Sequence, residues 1–435
     1  MTTPASTLPG LIPQLKEKGI KKMMVIAAGF GNFGAGGTIT EEELLKQARD
    51  AGISMIGTNT MGISNPSLNL NCTGVSIHAD PGGVSIISQS NNMGLQLLSK
   101  TKEKGMGVRA FCGTGSEAMI STEDLLEAFG NDPKTDVLMI YMEFQKNPKR
   151  FFECAKRVSR KKPIILYRSG QGDVASKTMN DQTLIETEAP GLFDAACRQA
   201  GVIRADRSEE LIDLNAAFSS LPLPEGNRVA ILCMGGGGGR IAADICRKYG
   251  LEVPEFSETM IEKIGGILAP YWNGMNPVER VCENDMTMTL KTTEELVSWE
   301  GCDAIIVLGV KGRGIIYHNI ACAVEKTEQN CPPEFVRIIE DSMIRFEEEY
   351  IEHIVKLMEK YRKPIIGVSV LSDRSNKSVY RLKGERYSGV FFSTPERSAK
   401  SLSCMYGYRR FLEKRTEINS FINGRNDDQG QNLFG

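Results

Sequence analysis

Short apolar runs alternate with amphipathic helical stretches along almost the whole chain, and three of those runs end in a glycine- or serine-rich turn that opens a helix. A buried run, a tight turn, a helix and another buried run make the pattern of parallel strands joined by crossover helices, so the fold class is α/β. The three turns are AAGFGNFGAGG (27–37), ISQSNNMG (87–94) and CMGGGGG (233–239). Each bares backbone amides at a helix N-terminus, where the dipole favours an anion, although glycine there also serves tight turning and close packing of helix on sheet. None is a G-x-x-x-x-G-K-[ST] loop, and that pattern occurs nowhere in the chain.

The units differ in completeness. KKMMVIAAGF reads as a strand, TEEELLKQARDAG as a helix with Thr40 and Glu43 placed for a capping box, and ISMIGTN as a second strand. With an entry helix before them they form only part of a nucleotide-binding half, a truncated Rossmann-like unit over 1–80. From Pro81, GGVSIISQS, VRAFCGTG, DVLMIYME and PIILYRSG alternate with helices, one opened by Ser121, and a link at LPLPEGN closes a second domain over 81–225. RVAILCMGGGGGRIAADICRKYG restarts the plan for a third domain over 226–418, with CDAIIVLGV, a charged helix from Pro333 to Tyr361, PIIGVSV and GVFF. The tail 419–435 is polar and glycine-rich, which predicts disorder.

Composition excludes several functions. Over 435 residues the charges nearly balance at −2, so the chain lacks the basic field that a nucleic acid or an anionic membrane needs. The 11 cysteines form no C-x-x-C pair, and no histidine stands close enough to complete a zinc set. Reduced, mostly buried thiols, no apolar segment near the roughly 20 residues of a membrane span, and no apolar signal region at the N-terminus predict a cytoplasmic protein.

The order and wording of the landmarks go further. AAGFGNFG, IGTNTMGISN, GGVSIISQS, DLLEAFGNDPKTDVLMIYME, KKPIILYRSG, FDAACRQAGVIRADRSEELID, LPLPEGNRVAIL with its glycine run, and NGMNPVE together resemble the NDP-forming acyl-CoA synthetases, relatives of succinyl-CoA synthetase. The likeness is nearest to the alpha subunits of ADP-forming acetate–CoA ligases and runs from about Gly10 to Lys414. It implies a Rossmann-like CoA-binding domain followed by two flavodoxin-like parallel-sheet domains. It also implies coenzyme A as cofactor, ATP/ADP and Mg2+ used only through an ATP-grasp beta-type partner subunit, a small carboxylic acid as substrate, and an oligomer.

Residue by residue, the resemblance transfers unevenly. Gly29 falls in the first glycine turn, and Gly57, Asn59 and Gly62 fall on the G-P-N-C-x-G loop that lines the family's CoA pocket, with Thr58 and Thr60 replacing its Pro and Cys. Ser88, Gln89 and Ser90 match the S-Q-S-G turn that cradles the transferred phosphate, where Asn91 replaces the glycine. Glu143 matches the carboxylate that orients the phosphorylated histidine.

That histidine is missing. Ungapped counts back from FDAACRQAGV and forward from Arg168 to Gly170 both place the family's S-H-T-G on Asp181, Gln182, Thr183 and Leu184. A carboxamide nitrogen is not a nucleophile and cannot carry a phosphoryl group as imidazole does. The chain's histidines, His78, His318 and His353, lie in a link and in helical stretches, and Lys177 is a loop lysine that could bind an anion as a point charge. The family's CoA domain also starts earlier, so about half of it is missing ahead of Gly10: another chain supplies it, the domain is reduced, or the sequence is a fragment.

Three functions stay open on these grounds. One is a CoA-ligase-type subunit acting on a carboxylic acid or acyl phosphate and CoA with an ATP-grasp partner, in which direct acyl transfer needs no relay and Gln182 serves as a hydrogen-bonding group. The second is a non-catalytic subunit that binds acyl-CoA or an anion. The third is a carbamoyl or acyl transferase on the same scaffold, since a fold does not fix a reaction.

Overall fold

The computed structural model describes residues 1–30, 40–169, 191–268, 272–279, 286–327, 333–371 and 377–430. The chain divides into two compact units, Met1–Asn215 and Ala216–Gly435.

The first unit opens with α1 (Leu8–Glu17), β1 (Lys22–Val25), α2 (Glu41–Asp50) and β2 (Ser54–Gly57). β1 and β2 form a two-stranded parallel sheet, and Leu8, Ile12, Met23, Val25, Leu44, Ala48, Ile53 and Met55 pack into its core. The expected capping box closes: Thr40 accepts from the Glu43 amide, and the Glu43 carboxylate accepts from the Thr40 amide.

A seven-stranded sheet follows, with β3 (Gly62–Asn65), β4 (Leu70–Thr73), β5 (Pro81–Ser88), α3 (Asn91–Glu103), β6 (Val108–Gly113), α4 (Thr122–Asn131), β7 (Val137–Met142), α5 (Pro148–Val158), β8 (Ile164–Arg168), α6 (Leu192–Ala200), β9 (Val202–Arg204) and α7 (Ser208–Ser220). Strands run in the order β4-β3-β6-β5-β7-β8-β9. From β6 to β9 all pairs are parallel, and numbering those five strands along the chain gives 2-1-3-4-5, the doubly wound flavodoxin-like order. β7 is buried along its whole length, as a strand covered by helices on both faces must be.

β3 and β4 add an antiparallel hairpin at the β6 edge. From the sequence the first boundary falls near residue 80, yet the sheet that contains β5 already begins at Gly62.

The second unit repeats the plan with β10 (Val229–Cys233), α8 (Gly236–Lys248), α9 (Glu258–Ile267), β11 (Val278–Glu279), α10 (Met286–Ser298), β12 (Ala304–Leu308), α11 (Arg313–Thr327), α12 (Pro333–Tyr361), β13 (Ile365–Val368), β14 (Val379–Arg381), β15 (Ser388–Phe392) and α13 (Pro395–Gly430). Its sheet order is β11-β10-β12-β13-β15-β14, again 2-1-3-4-5 once the antiparallel edge strand β14 is set aside. α13 runs through most of the polar stretch that starts at Asn419. Among the described residues no helix is long and apolar enough to cross a membrane.

Candidate functional site

In a doubly wound sheet ligands bind beyond the carboxyl ends of the strands where the strand order reverses. In the first unit that point lies between β5 and β7, the strands that carry Ser88 to Asn91 and Glu143 at their carboxyl ends.

β5 ends on Ser88, which is buried and donates from Oγ to the Ser90 carbonyl at 2.7 Å. Ser90 is the N-cap of α3, its hydroxyl accepting from the Met93 amide. Gln89 between them is 6% exposed, and its carboxamide is fully used inside the fold. Nε2 donates to Glu117 Oε1 and to the Phe144 carbonyl, both at 2.9 Å. Oε1 accepts from the Glu143 amide at 2.7 Å and the Phe144 amide at 3.0 Å. The side chain of Gln89 therefore ties the turn after β5 to the backbone just beyond β7.

Glu143 is half-buried and accepts at Oε1 from the Tyr141 hydroxyl at 3.1 Å; that hydroxyl also lies 2.8 Å from Ser169 Oγ. Burial, with the Glu143 charge adding to it, pushes the Tyr141 phenol up to about 12 against the opposing Ser169 bond, so Tyr141 remains a donor.

The loop 57–62 is stitched to the chain that follows β6. Gly57 has φ +98°, and a Cβ there would stand 2.4 Å from the Val25 carbonyl oxygen. Asn59 is left-handed at φ 52°, a conformation its short polar side chain tolerates. Thr58 donates to Glu41 Oε1 at 2.6 Å, Ser116 donates to the same oxygen at 2.7 Å, and the two hydroxyls are 2.9 Å apart. Thr60 donates to the Gly113 carbonyl and accepts from the Gly62 amide at 2.9 Å. The two threonines that replace Pro and Cys thus spend their hydroxyls inside the protein. Asn91 reaches the same loop, donating from Nδ2 to Asn59 Oδ1 at 3.2 Å while its own Oδ1 is buried without a partner.

The structure therefore brings Ser88, Gln89, Ser90, Asn91, Asn59 and the Glu143 backbone into one connected neighbourhood, with Gly57 and Gly62 shaping the loop beside it. Gly29 has φ +96°, and no atom of the described residues lies within 4 Å of its Cβ position. Gln182, with Asp181, Thr183, Leu184 and Lys177, lies outside the described residues. His78 is exposed, His318 Nδ1 lies 3.0 Å from Glu340 Oε1, and His353 Nε2 lies 3.1 Å from the Leu290 carbonyl. No cluster of acidic, histidine and cysteine side chains among the described residues is arranged to hold a metal ion.

One member of the neighbourhood is missed by sequence reasoning. Glu117 follows β6 with φ 55° and is 4% exposed. Its Oε1 accepts from Gln89 Nε2, from the Thr122 amide at 3.1 Å and from the Thr122 hydroxyl. Burial raises this carboxyl, and the Thr122 and Gln89 bonds pull it back. The signal available was its place, just past a strand next to the switch point and ahead of the helix that Ser121 caps.

In the second unit the corresponding turn follows β10. Cys233 Sγ contacts the Gly235 carbonyl at 2.6 Å, and a Cβ on Gly239 would press on Pro277 at 3.1 Å. This supports close packing of α8 against the strand as one reason for the glycines there.

Comparison with known proteins agrees with the geometry. Residues 81–218 match the family model described as succinyl-CoA ligase like flavodoxin domain. The alpha subunit of ADP-forming acetate–CoA ligase I from Pyrococcus furiosus is 30% identical over 420 residues, covering 96% of this chain and 84% of that one. The ADP-forming acetate–CoA ligase of Methanocaldococcus jannaschii is 35% identical over 279 residues, which cover 64% of this chain but only 39% of that longer protein. Among solved structures, the dinucleotide forming acetyl-coenzyme A synthetase 1 of Ca. Korarchaeum cryptofilum, in complex with phosphate and ADP, superposes with a TM-score of 0.76 at 25% identity over 95% of this chain and 83% of that one. On a likeness that spans nearly its whole length in both sequence and fold, the chain belongs to the NDP-forming acyl-CoA synthetase family, as a relative of the alpha subunits of ADP-forming acetate–CoA ligases.

Proposed function

We propose that this chain is the CoA-handling subunit of an acid–CoA ligase that passes an acyl group from acyl phosphate to CoA without a histidine relay. In this reading a separate ATP-grasp subunit holds ATP/ADP with Mg2+ and makes the acyl phosphate. The observation that carries the reading is the Gln89 carboxamide, which joins the phosphate-type turn after β5 to the Glu143 end of β7 through bonds of 2.7 to 3.0 Å. That framework is what an acyl phosphate site at the switch point requires, and it does not depend on an imidazole.

The residues fit an anion and the panthetheine end of CoA in different ways. α3 starts at Asn91 and runs 13 residues, so the Ser88 to Asn91 turn offers the amides and dipole of a full helix to a phosphate. In the loop 57–62, Gly57 and Gly62 are buried against the Val25 and Cys72 carbonyls and set its path, and Asn59 is its exposed residue, the one placed to meet CoA.

Acyl transfer then occurs in one step. The carbon–sulfur bond to the CoA thiol forms as the carbon–oxygen bond to phosphate breaks, the thiol proton passes to Glu143, and inorganic phosphate leaves. Gln182 takes the place of the relay as a hydrogen-bond donor to the departing phosphate, a role a carboxamide can fill where nucleophilic attack is closed to it.

The test is to incubate the purified protein, with and without its copurifying partner, with labelled ATP, CoA and a panel of carboxylic acids. Thioester without protein-bound phosphate is the expected result, and Glu143→Gln lowers its rate by roughly 10²-fold or more. Protein-bound phosphate on this chain overturns the relay-free step. No turnover with any acid or partner overturns the ligase reading in favour of a binding subunit.

A further inference from the structure

We propose that Glu117 is a positioning residue of the switch-point site, setting through Gln89 where Glu143 and the turn before α3 stand. The inference rests on the ligase reading for its function and on hydrogen bonds for its geometry.

A carboxamide has two donor hydrogens and an acceptor oxygen, and its two ends differ little in shape, so something must choose which end faces which way. At Gln89 the choice is forced. The Glu143 and Phe144 amides can only donate, so they require the oxygen, at 2.7 and 3.0 Å. The Phe144 carbonyl and Glu117 Oε1 are acceptors and require the nitrogen, each at 2.9 Å. Of these four contacts only Glu117 is a side chain.

Glu117 is itself held in place. The Thr122 amide and hydroxyl both donate to the oxygen that receives Gln89, and Lys146 Nζ donates to the Glu117 carbonyl at 3.0 Å. Thr122 is the first residue of α4 and Lys146 lies just beyond β7, so the start of α4 holds the Glu117 carboxyl and the chain past β7 holds its backbone. Buried at 4% exposure with donors converging on one oxygen, it is fixed before Gln89 is. Removing it leaves the Gln89 nitrogen with a vacant direction and the Thr122 amide unpaired, and the carboxamide can then turn away from the Glu143 and Phe144 amides.

The experiment is a double-mutant cycle of Glu117→Ala and Gln89→Ala, with Glu117→Gln as the shape-keeping variant. Backbone hydrogen exchange at Glu143 and Phe144 is read on the chain alone, and thioester formation is read with the partner subunit. Glu117→Ala is expected to speed exchange of both amides about tenfold or more, Glu117→Gln less, and Glu117→Ala to add nothing once Gln89 is already alanine. In turnover kcat falls about tenfold or more, as for loss of the buried hydrogen bonds that hold Gln89, while KM for CoA and acid changes little. Additive effects across the cycle, or unchanged exchange at both amides in both Glu117 variants, overturn the proposal. If Glu117→Ala does not fold, Glu117→Gln carries the same two readouts. If the parent protein shows no turnover at all, the ligase reading fails while the exchange cycle still decides the positioning.

Discussion

Asn91 donates from Nδ2 to Asn59 Oδ1 at 3.2 Å, so the first residue of α3, at the end of the proposed phosphate turn, is bonded to the loop that lines the proposed CoA pocket. Its side chain couples two parts of the site and leaves a buried carbonyl oxygen, Asn91 Oδ1, with no partner. Next to a phosphate that oxygen is unfavourable, since both are acceptors.

Asn91→Gly therefore has opposed effects on stability and on binding. Replacing asparagine by glycine in the first turn of α3 costs roughly 0.3 kcal/mol in helix propensity, and the bond to Asn59 is lost. At the same time the orphan oxygen disappears and backbone can approach an anion. The variant should melt a few degrees lower, yet be stabilised more than the parent by millimolar inorganic phosphate in a thermal-shift titration. Equal phosphate shifts in the two proteins would show that the turn does not bind phosphate.

Gly62 and Gly29 separate steric from conformational cost. Both have positive φ, +111° and +96°, but a Cβ on Gly62 would lie 2.0 Å from the Cys72 carbonyl oxygen in the β3–β4 hairpin, whereas among the described residues nothing lies within 4 Å of one on Gly29. Gly29→Ala should cost about 1 kcal/mol, the left-handed penalty alone. Gly62→Ala should cost about 3 kcal/mol or more, because the atom in the way is backbone paired in a ladder. Denaturant unfolding of the two variants reads the difference directly.

Four strands of each five-stranded doubly wound core are legible in the sequence because a parallel strand covered on both faces must be a continuous apolar run, as in VLMIYM and AIIVL, while the edge strands β9 and β11, of three and two residues, are too short to show. The hairpin β3–β4 is not, because GISN and LNCT are short, half polar and only partly buried, and what makes them strands is the open edge of β6. The glycine and serine turns are legible from their place between strand and helix. Glu117 is not, since its burial arises only when the loops after β6 and β7 close over it. The internal partners of Thr58 and Thr60 are hidden for the same reason: a threonine in a loop carries no sign in the sequence that Glu41 or Gly113 will stand opposite.

Thiol reactivity follows the same distinction between place and type. Burial pushes Cys112 and Cys246 up to about 12 and Cys302 up to about 11, while Cys72 on β4 is exposed. The thiolate is the reactive form, so the buried three should resist alkylation at neutral pH and Cys72 should react before them. Mass-mapped maleimide labelling of the native protein tests this. Early modification of Cys112, on the strand next to the proposed site, would mean that β6 opens more readily than its packing implies.

In the second unit Arg228 and Asp303 clamp the starts of β10 and β12. Arg228 donates from Nε and its backbone amide to Asp303 Oδ2 at 2.8 and 3.0 Å, and from Nη2 to Oδ1 at 2.8 Å. Burial on its own would raise the Asp303 carboxyl, but these bonds outweigh it and hold the group below the ordinary carboxylate range. A carboxyl whose folded pKa lies below its unfolded value stabilises the fold at every pH above the unfolded value, near 4, and loses that contribution as pH falls through the lowered folded one. Since the Arg228 side chain is 42% exposed, solvent screens the pair, and the bond set should contribute about 1 kcal/mol at neutral pH. Asp303→Asn should therefore destabilise the unit by about that amount at pH 7, and the gap between variant and parent should narrow progressively below pH 4. Unfolding midpoints in denaturant across pH 3 to 7 measure it, and a gap that stayed constant with pH would assign the stabilisation to packing of the side chain in place of its charge.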